Sequence, residues 1–241
     1  APRHHISAEL TTGFARIRAD LGVRDEFSDD ALELATARAA AASTSGSPSP
    51  HVDRRDIPPL SLDPPGSRDL DQALHLERNG SGYRFHYAIA DVANWVEPGD
   101  PIDAEARLRG TTIYAPDRRV PLHPTALSEG AASLLQGVDR PVLLWTIDLD
   151  QRGEVGNVSV ERAMVHNRRA LSYGEVQTAL DSGSTDEQFR LIDDVGRLRV
   201  ELETARGGVS LELPEQTVDR VDDHYELTYD AALDVEHWNA Q

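Results

Sequence analysis

The sequence predicts an α+β fold: a mixed, largely antiparallel sheet flanked by helices, with a small helical appendage at the N-terminus. Three observations lead there. Strand-like alternation is concentrated in the middle of the chain, at Tyr83, Phe85, Tyr87 and Ile89 and again from Val142 to Val165. Helix signals flank and interrupt those strands without the rhythm of a doubly wound sheet, and the sequence has no internal repeat, no GxGxxG and no P-loop. A run of small residues and proline, Ala42 to Pro50, separates a helical front from the rest. The expected organisation is residues 1–50 as helical appendage and Ser/Pro linker, and residues 51–241 as one larger unit.

Each element has a local reason. Ser7 is placed to cap a helix whose Leu10, Phe14, Ile17 and Leu21 share a face, and Ser28 to cap an alanine-rich helix from Ala31 to Ala42. Tyr83, Phe85 and Tyr87 have the spacing of a buried strand face. Pro101 opens a short helix that Gly110 closes. Val142 to Asp150 and Val155 to Val165, joined by Gln151-Arg152-Gly153, predict neighbouring antiparallel strands. Ser172 with Glu175 forms a capping box for a helix reaching about Leu180, and Thr185 to Arg206 predicts a longer helix ended by Gly207-Gly208.

Charge and composition narrow the chemistry. With 24 basic and 42 acidic side chains the net charge is −18, which argues against a protein that coats nucleic acid generally. The charge is unevenly spread. Ser210 to Glu236 holds nine acids and one arginine, whereas Arg107, Arg109, Arg118 and Arg119 share their segment with Asp117. Arg162, Arg168 and Arg169 sit beside His166 with no acid before Glu175. These basic stretches can meet a polyanion or simply pair with surface acids. Cysteine and lysine are both absent, which removes disulfides, thiolate chemistry, cysteine-ligated zinc, lysine Schiff bases and a P-loop lysine. No apolar run approaches the ~20 residues of a membrane span, and APRHHISAEL lacks the apolar stretch of a secretory signal. A soluble, cytoplasmic protein without a membrane partner is expected.

The segment LDPPGSRDLDQA, Leu62 to Ala73, places Asp63, Asp69 and Asp71 around a Pro-Pro-Gly turn. An extended Asp69 to Asp71 puts two carboxylates on one face, and the turn folds Asp63 back toward them. Like charges gathered this way need a cation, and oxygen-only ligation suits Mg²⁺ or Mn²⁺. Phosphodiester hydrolysis is the chemistry such a cluster serves best. The competing reading is a solvated turn whose aspartates cap backbone amides. A calcium loop is disfavoured, because the EF-hand spacing and its terminal glutamate are missing.

The order of LDPPGSRDLDQA, then YRFHYAIADVANWVEPGDPIDAEARLRGTTIYAPDRRVPLHPTALSEGAASL, DRPVLLWTIDLDQRGEV and NRRALSYGEV resembles the catalytic domain of the ribonuclease II and ribonuclease R family, over about Asp56 to Leu180. The resemblance implies a processive, metal-dependent 3′ to 5′ exoribonuclease that releases nucleoside 5′-monophosphates from single-stranded RNA. It also implies Mg²⁺ as cofactor, with Mn²⁺ as the alternative. Residues 51–241 then match the N-terminal portion of that domain, and the remaining half is an expected partner, in the same or another chain.

Residue by residue, the family's four motif aspartates fall on Asp63, Asp69, Asp71 and Gln72, the last a departure: its amide can ligate metal but brings no charge. The implied catalytic residues are Asp71 and Asp69, and the implied metal ligands Asp63, Asp69, Asp71 and Gln72. Tyr114 matches a tyrosine that stacks on RNA near its 3′ end, and Tyr173 one that lines the catalytic cavity; without that match the residues themselves favour an amphipathic core role for either. Arg118, Arg119, Arg168 and Arg169 are the candidates for holding phosphates. His86, His123 and His166 form no metal-like pair. Gln72 also motivates a rival: an RNA-binding or regulatory protein that keeps the scaffold without turnover.

Overall fold

A computed structural model of the chain describes residues 8–45, 51–209, 214–222 and 224–240. In chain order the elements are α1 (Ala8–Asp20), α2 (Asp29–Ser45), β1 (Val52–Asp53), β2 (Leu60–Asp63), β3 (Gln72–Asn79), β4 (Gly82–Ala90), α3 (Pro101–Arg109), β5 (Ile113–Tyr114), β6 (Arg119–Val120), β7 (Asp139–Leu149), β8 (Val155–His166), β9 (Arg169–Ser172), α4 (Tyr173–Asp181), α5 (Glu187–Ala205), β10 (Glu215–Val221), β11 (His224–Asp230) and α6 (Asp234–Ala240).

The alternating stretches form the centre of a seven-stranded sheet in the order β1-β8-β7-β4-β3-β2-β9. Its inner pairings are antiparallel, with Tyr87 opposite Leu74 and Trp145, and only the outer pairs β1–β8 and β2–β9 are parallel. The fold is α+β, as the sequence predicts. One face carries Leu60, Leu62, Leu74, Leu76, Tyr83 and Leu149 against Val176 of α4, Phe189, Leu191 and Ile192 of α5, and Val235 of α6. The opposite face buries Ala73, Ala88, Val142, Leu144, Ala163 and Val165 with Leu70 and Leu134. A third cluster joins Ala35 of α2 to Trp95, Ile102, Leu127 and Ala132. Where α5 meets α6, a Cβ at Gly196 would lie 2.3 Å from the Trp238 ring, so only glycine permits that crossing.

The punctuation residues act as their chemistry dictates. Asp100 accepts a 2.8 Å bond from the Asp103 amide ahead of Pro101, and Gly110 ends α3 with φ of 77°. Ser172 and Glu175 form the reciprocal capping box of α4, at 3.2 and 2.7 Å. α2 extends three residues past the predicted end at Ala42, because its Ala-rich run carries the helical register into Ser43-Thr44-Ser45. Ser7 and residues 46–50 of the linker lie outside the described residues.

Two regions depart from the sequence reading. Leu10, Ile17 and Leu21, the expected buried stripe of α1 and its exit, are 46%, 51% and 75% exposed, whereas Arg18 is 6% exposed. That helix is docked chiefly by a charged group, and of its predicted apolar face Phe14 alone is partly covered. The acidic tail, which carries no predicted element, folds as the β10–β11 hairpin, with Asp222 at φ of 53° beginning its turn. Tyr225 of that hairpin meets Phe14 of α1 edge-on at 5.2 Å.

Candidate active site

The loop between β2 and β3 carries the aspartates, and polar contacts fix its course. Pro64 to Ser67 is a turn closed by the Ser67 amide on the Pro64 carbonyl at 3.2 Å, and Gly66 supplies the φ of 83° that the turn requires. Ser133, buried, accepts from the Leu70 amide at 3.0 Å and donates to the Arg68 carbonyl at 2.6 Å. The Leu134 amide bonds the Leu70 carbonyl and the Ala90 amide bonds the Asp71 carbonyl, both at 2.8 Å. Arg140 holds the Ser133 segment in turn, through the Ser133 and Gly130 carbonyls.

This loop puts its acids in two settings. Asp63 lines a cleft of about 330 Å³ with the Pro-Pro-Gly turn, Ser172 and Glu175. Asp69 and Asp71 line another, of about 210 Å³, with His123, Thr112 and Ser128. The three still feel one another. Asp63 is pushed up to about 6 by burial first and then by the charges of Asp71 and Asp69, and Asp71 is raised by burial first and then by Asp69. Asp63 Oδ2 is buried with no hydrogen-bond partner. Asp69 differs: Arg119 Nη1 lies 2.6 Å from its Oδ1, and the same guanidinium bonds Glu129.

The other sequence candidates fall as follows. Gln72 opens β3, and its carbonyl accepts the Tyr87 hydroxyl proton. Tyr173 begins α4, and its phenol is pushed up to about 12 by burial, then by Asp63, Glu236 and Asp71; it therefore faces the carboxylates and stays protonated at neutral pH. Tyr114, 74% exposed, stands on β5 directly opposite Arg119. Arg118 pairs with Asp25 and Glu26, each at 3.4 Å. Arg169 pairs with Asp186 at 2.6 Å, while Arg168, exposed, donates to the Arg55 carbonyl at 3.0 Å.

The structure thus brings Asp63, Asp71, Tyr173, Tyr87 and Gln72 to one end of the sheet, with Asp69 and Arg119 beside them. It leaves Arg168 and Arg169 at the other end of β9, where Arg169 opposes Leu60 while Ser172 opposes Asp63. Sequence reasoning placed Tyr87 in the core and assigned nothing to Glu129 or Glu236. Tyr87 is half-buried and lines an apolar cleft of about 410 Å³ with Phe85, Ile147 and Trp238. Its role follows from register, since Gln72 opposes Ile89 and lies diagonally from Tyr87 on the same face.

A hard divalent cation fits this donor set. Among the described residues neither Asp63 nor Asp71 has an ion-pair partner, both are raised by burial, and one oxygen is orphaned. No group of three acidic or histidine side chains among the described residues converges on one point. Mg²⁺ needs no such group, because it commonly takes one or two carboxylates and completes its shell with water and phosphate oxygens.

Comparison with known proteins places the chain. The RNB domain family matches residues 51–232, and the chain belongs to that family. Among curated relatives, ribonuclease R of Escherichia coli (strain K12) is 34% identical over 174 residues, which is 68% of this chain and 21% of that protein. The mouse exosome complex exonuclease RRP44 is 28% identical over 168 residues, again 68% of this chain and 18% of the relative. The chain therefore spans about a fifth of the length of these relatives. Among solved structures, Mycoplasma genitalium RNase R in complex with ribose methylated single-stranded RNA superposes with a TM-score of 0.89 at 22% identity, covering 97% of this chain and 38% of that one. Yeast Ssd1, described as a pseudonuclease, gives 0.56 at 21% identity over 64% of this chain and 19% of Ssd1. No described helix is long and apolar enough to cross a membrane.

Proposed function

We propose that this chain is part of a metal-dependent exoribonuclease that hydrolyses single-stranded RNA from its 3′ end to nucleoside 5′-monophosphates, in the cytoplasm. The observation that carries the reading is the pair of uncompensated carboxylates, Asp63 and Asp71, facing a protonated Tyr173 within a family whose relatives are named as ribonucleases and exonucleases. Asp63 and Asp71 are the residues that would hold Mg²⁺, or Mn²⁺, with Asp69 and Gln72 at the margin. Bound there, the cation would supply Lewis-acid stabilisation of the phosphoryl oxygens and a more acidic water.

The protein's own side chains do the rest. Asp71 orients the attacking water, and the Tyr173 hydroxyl, which keeps its proton, donates a hydrogen bond to a phosphate oxygen. Tyr114, exposed on its hairpin, stacks on a base near the 3′ end, a contact tolerant of sequence and worth about 1–3 kcal/mol per base. Arg168 holds a phosphate directly; Arg118, Arg119 and Arg169 do so by exchanging a carboxylate partner for a phosphate. The partner polypeptide is the rest of an RNB-type catalytic domain, in the same or another chain.

The test is incubation of the chain with 3′-hydroxyl single-stranded RNA and Mg²⁺. Release of nucleoside 5′-monophosphates that falls at least about a hundredfold in Asp71→Asn is the expected result. A second reading, RNA binding without turnover, is favoured by two contacts: Gln72 already accepts from Tyr87, and Asp69 is already paired with Arg119. RNA binding with no mononucleotide release would establish that reading instead.

A further inference from the structure

The β5–β6 hairpin is where an RNA-stacking tyrosine and the arginine beside the carboxylates meet, since Tyr114 pairs directly with Arg119. It is also the least self-supporting ladder in the fold. Each strand has two residues and the pair stands apart from the main sheet, so its own hydrogen bonds cannot hold it. The rung next to its turn is tied down by Arg119 on Asp69 and Glu129. The turn itself, Ala115 to Arg118, has a second anchor.

That anchor is α1. Arg18 Nη1 lies 2.5 Å from Asp117 Oδ1 at the tip, and its Nε lies 3.0 Å from Asp25 Oδ1. The Arg18 side chain is 7% exposed and Asp117 14%. Arg118, next in the turn, reaches back to Asp25 and Glu26. Arg109 of α3 fixes the segment that presents those acids, donating to the Arg24 and Glu26 carbonyls at 2.8 and 2.6 Å with its guanidinium 3.6 Å over the Phe27 ring. Among the described side chains of α1, Arg18 is the buried one, while Leu10 and Ile17 face solvent and Phe14 meets Tyr225 of the β10–β11 hairpin. A helix that buries an arginine and exposes its leucine and isoleucine is positioned by that arginine.

We propose that Arg18 is a positioning residue for RNA contact: through Asp117 it fixes the tip of the β5–β6 hairpin and so the angle at which Tyr114 meets the 3′-terminal nucleotide. The inference rests on the RNA-processing reading for its consequence, and on geometry alone for the clamp. Removing the charge frees the tip, and Tyr114, whose exposed ring has little packing of its own, loses its fixed place.

The experiment uses the full chain with Arg18→Met, Asp117→Asn and the double variant. Two readouts are taken: amide hydrogen exchange over residues 113–120, and affinity for a fluorescent ribose-methylated single-stranded RNA. Each single variant is expected to speed exchange of the hairpin amides at least tenfold while those of α4 keep their protection. The double variant is expected to match Arg18→Met, because the Asp117 contact is already lost in that single variant. RNA affinity is expected to drop about tenfold in Arg18→Met and to show no further drop when Arg18→Met is added to Tyr114→Ala. Unchanged hairpin exchange in both single variants overturns the clamp. Faster exchange with RNA affinity unaltered, or an Arg18→Met effect that persists undiminished without Tyr114, overturns the positioning role. Should the parent chain bind no RNA while the hairpin exchange behaves as expected, the RNA-processing reading fails, the positioning role falls with it, and the clamp alone stands.

Discussion

Asp63 and Asp69 sit near opposite ends of one short loop and live in opposite electrostatic settings. Asp69 is neutralised by Arg119, which also serves Glu129, so its charge is spent inside the protein. Asp63 has an orphaned oxygen, feels Asp71, and is pushed up to about 6. The same residue type, six positions apart, is therefore a structural ion-pair partner at one end and a half-buried carboxylate with no ion-pair partner among the described residues at the other. Which end a cation prefers follows from which carboxylate the protein leaves uncompensated. Gln72, with its carbonyl on Tyr87, lies between these extremes, polar but uncharged.

The largest effect expected beyond the loss of turnover in Asp71→Asn comes from Gln72→Asp. Restoring a fourth carboxylate adds a negative charge beside the open end, and Mg²⁺ affinity should rise about tenfold, read by calorimetry. An unchanged affinity would place Gln72 outside the coordination sphere. Next is the contrast within the loop. In metal-free buffer Asp69→Asn should lower stability by about 1–2 kcal/mol, because it strips a charged partner from half-buried Arg119. Asp63→Asn should raise it, because it removes a charge that nothing offsets. Denaturant titration measures both, and a common sign for the two variants would erase the distinction.

The smallest effect is the pH dependence. The folded-state value of Asp63 lies above its unfolded value of about 4, so folding takes up a proton between those values. Its contribution to metal-free stability is most favourable below that window, declines as pH rises through it, and stays at its least favourable above about 6. Carboxylates held low by arginines, such as Asp148 and Asp186, act in the opposite direction, so the difference between the parent and Asp63→Asn isolates the effect. That difference in melting temperature should be wider at pH 7.5 than at pH 4.5. Mg²⁺ should close it at the higher pH and leave it at the lower, where protons compete for the oxygen.

Much of this was legible in the sequence, for reasons that were local. Pro101 and Gly110 bound α3, Ser172 with Glu175 starts α4, and the glycine turn at 153 pairs β7 with β8, because in each case cause and effect lie within a few residues. The Pro-Pro-Gly turn was legible too, since it is contiguous, but the expected gathering of Asp63, Asp69 and Asp71 was not met among the described residues, because Asp69 pairs with Arg119, fifty residues on. What escaped was set by distance. Arg18 reads as one polar residue on an amphipathic helix, and its partner Asp117 is ninety-nine residues away. Tyr87 has the same alternation as its core neighbours, and only the register of β3 against β4 brings it to Gln72. In β10–β11 the acids at Asp219, Glu226 and Asp230 interrupt the apolar signal, so the tail read as charge and not as a ladder.

The most direct test of the account is a calorimetric titration of Mg²⁺ into the metal-free chain at pH 7.5, repeated with Asp63→Asn and Asp69→Asn. Binding in the parent that disappears in Asp63→Asn and survives in Asp69→Asn is the predicted result. Binding that survives without the Asp63 carboxylate and is abolished without that of Asp69 would contradict it.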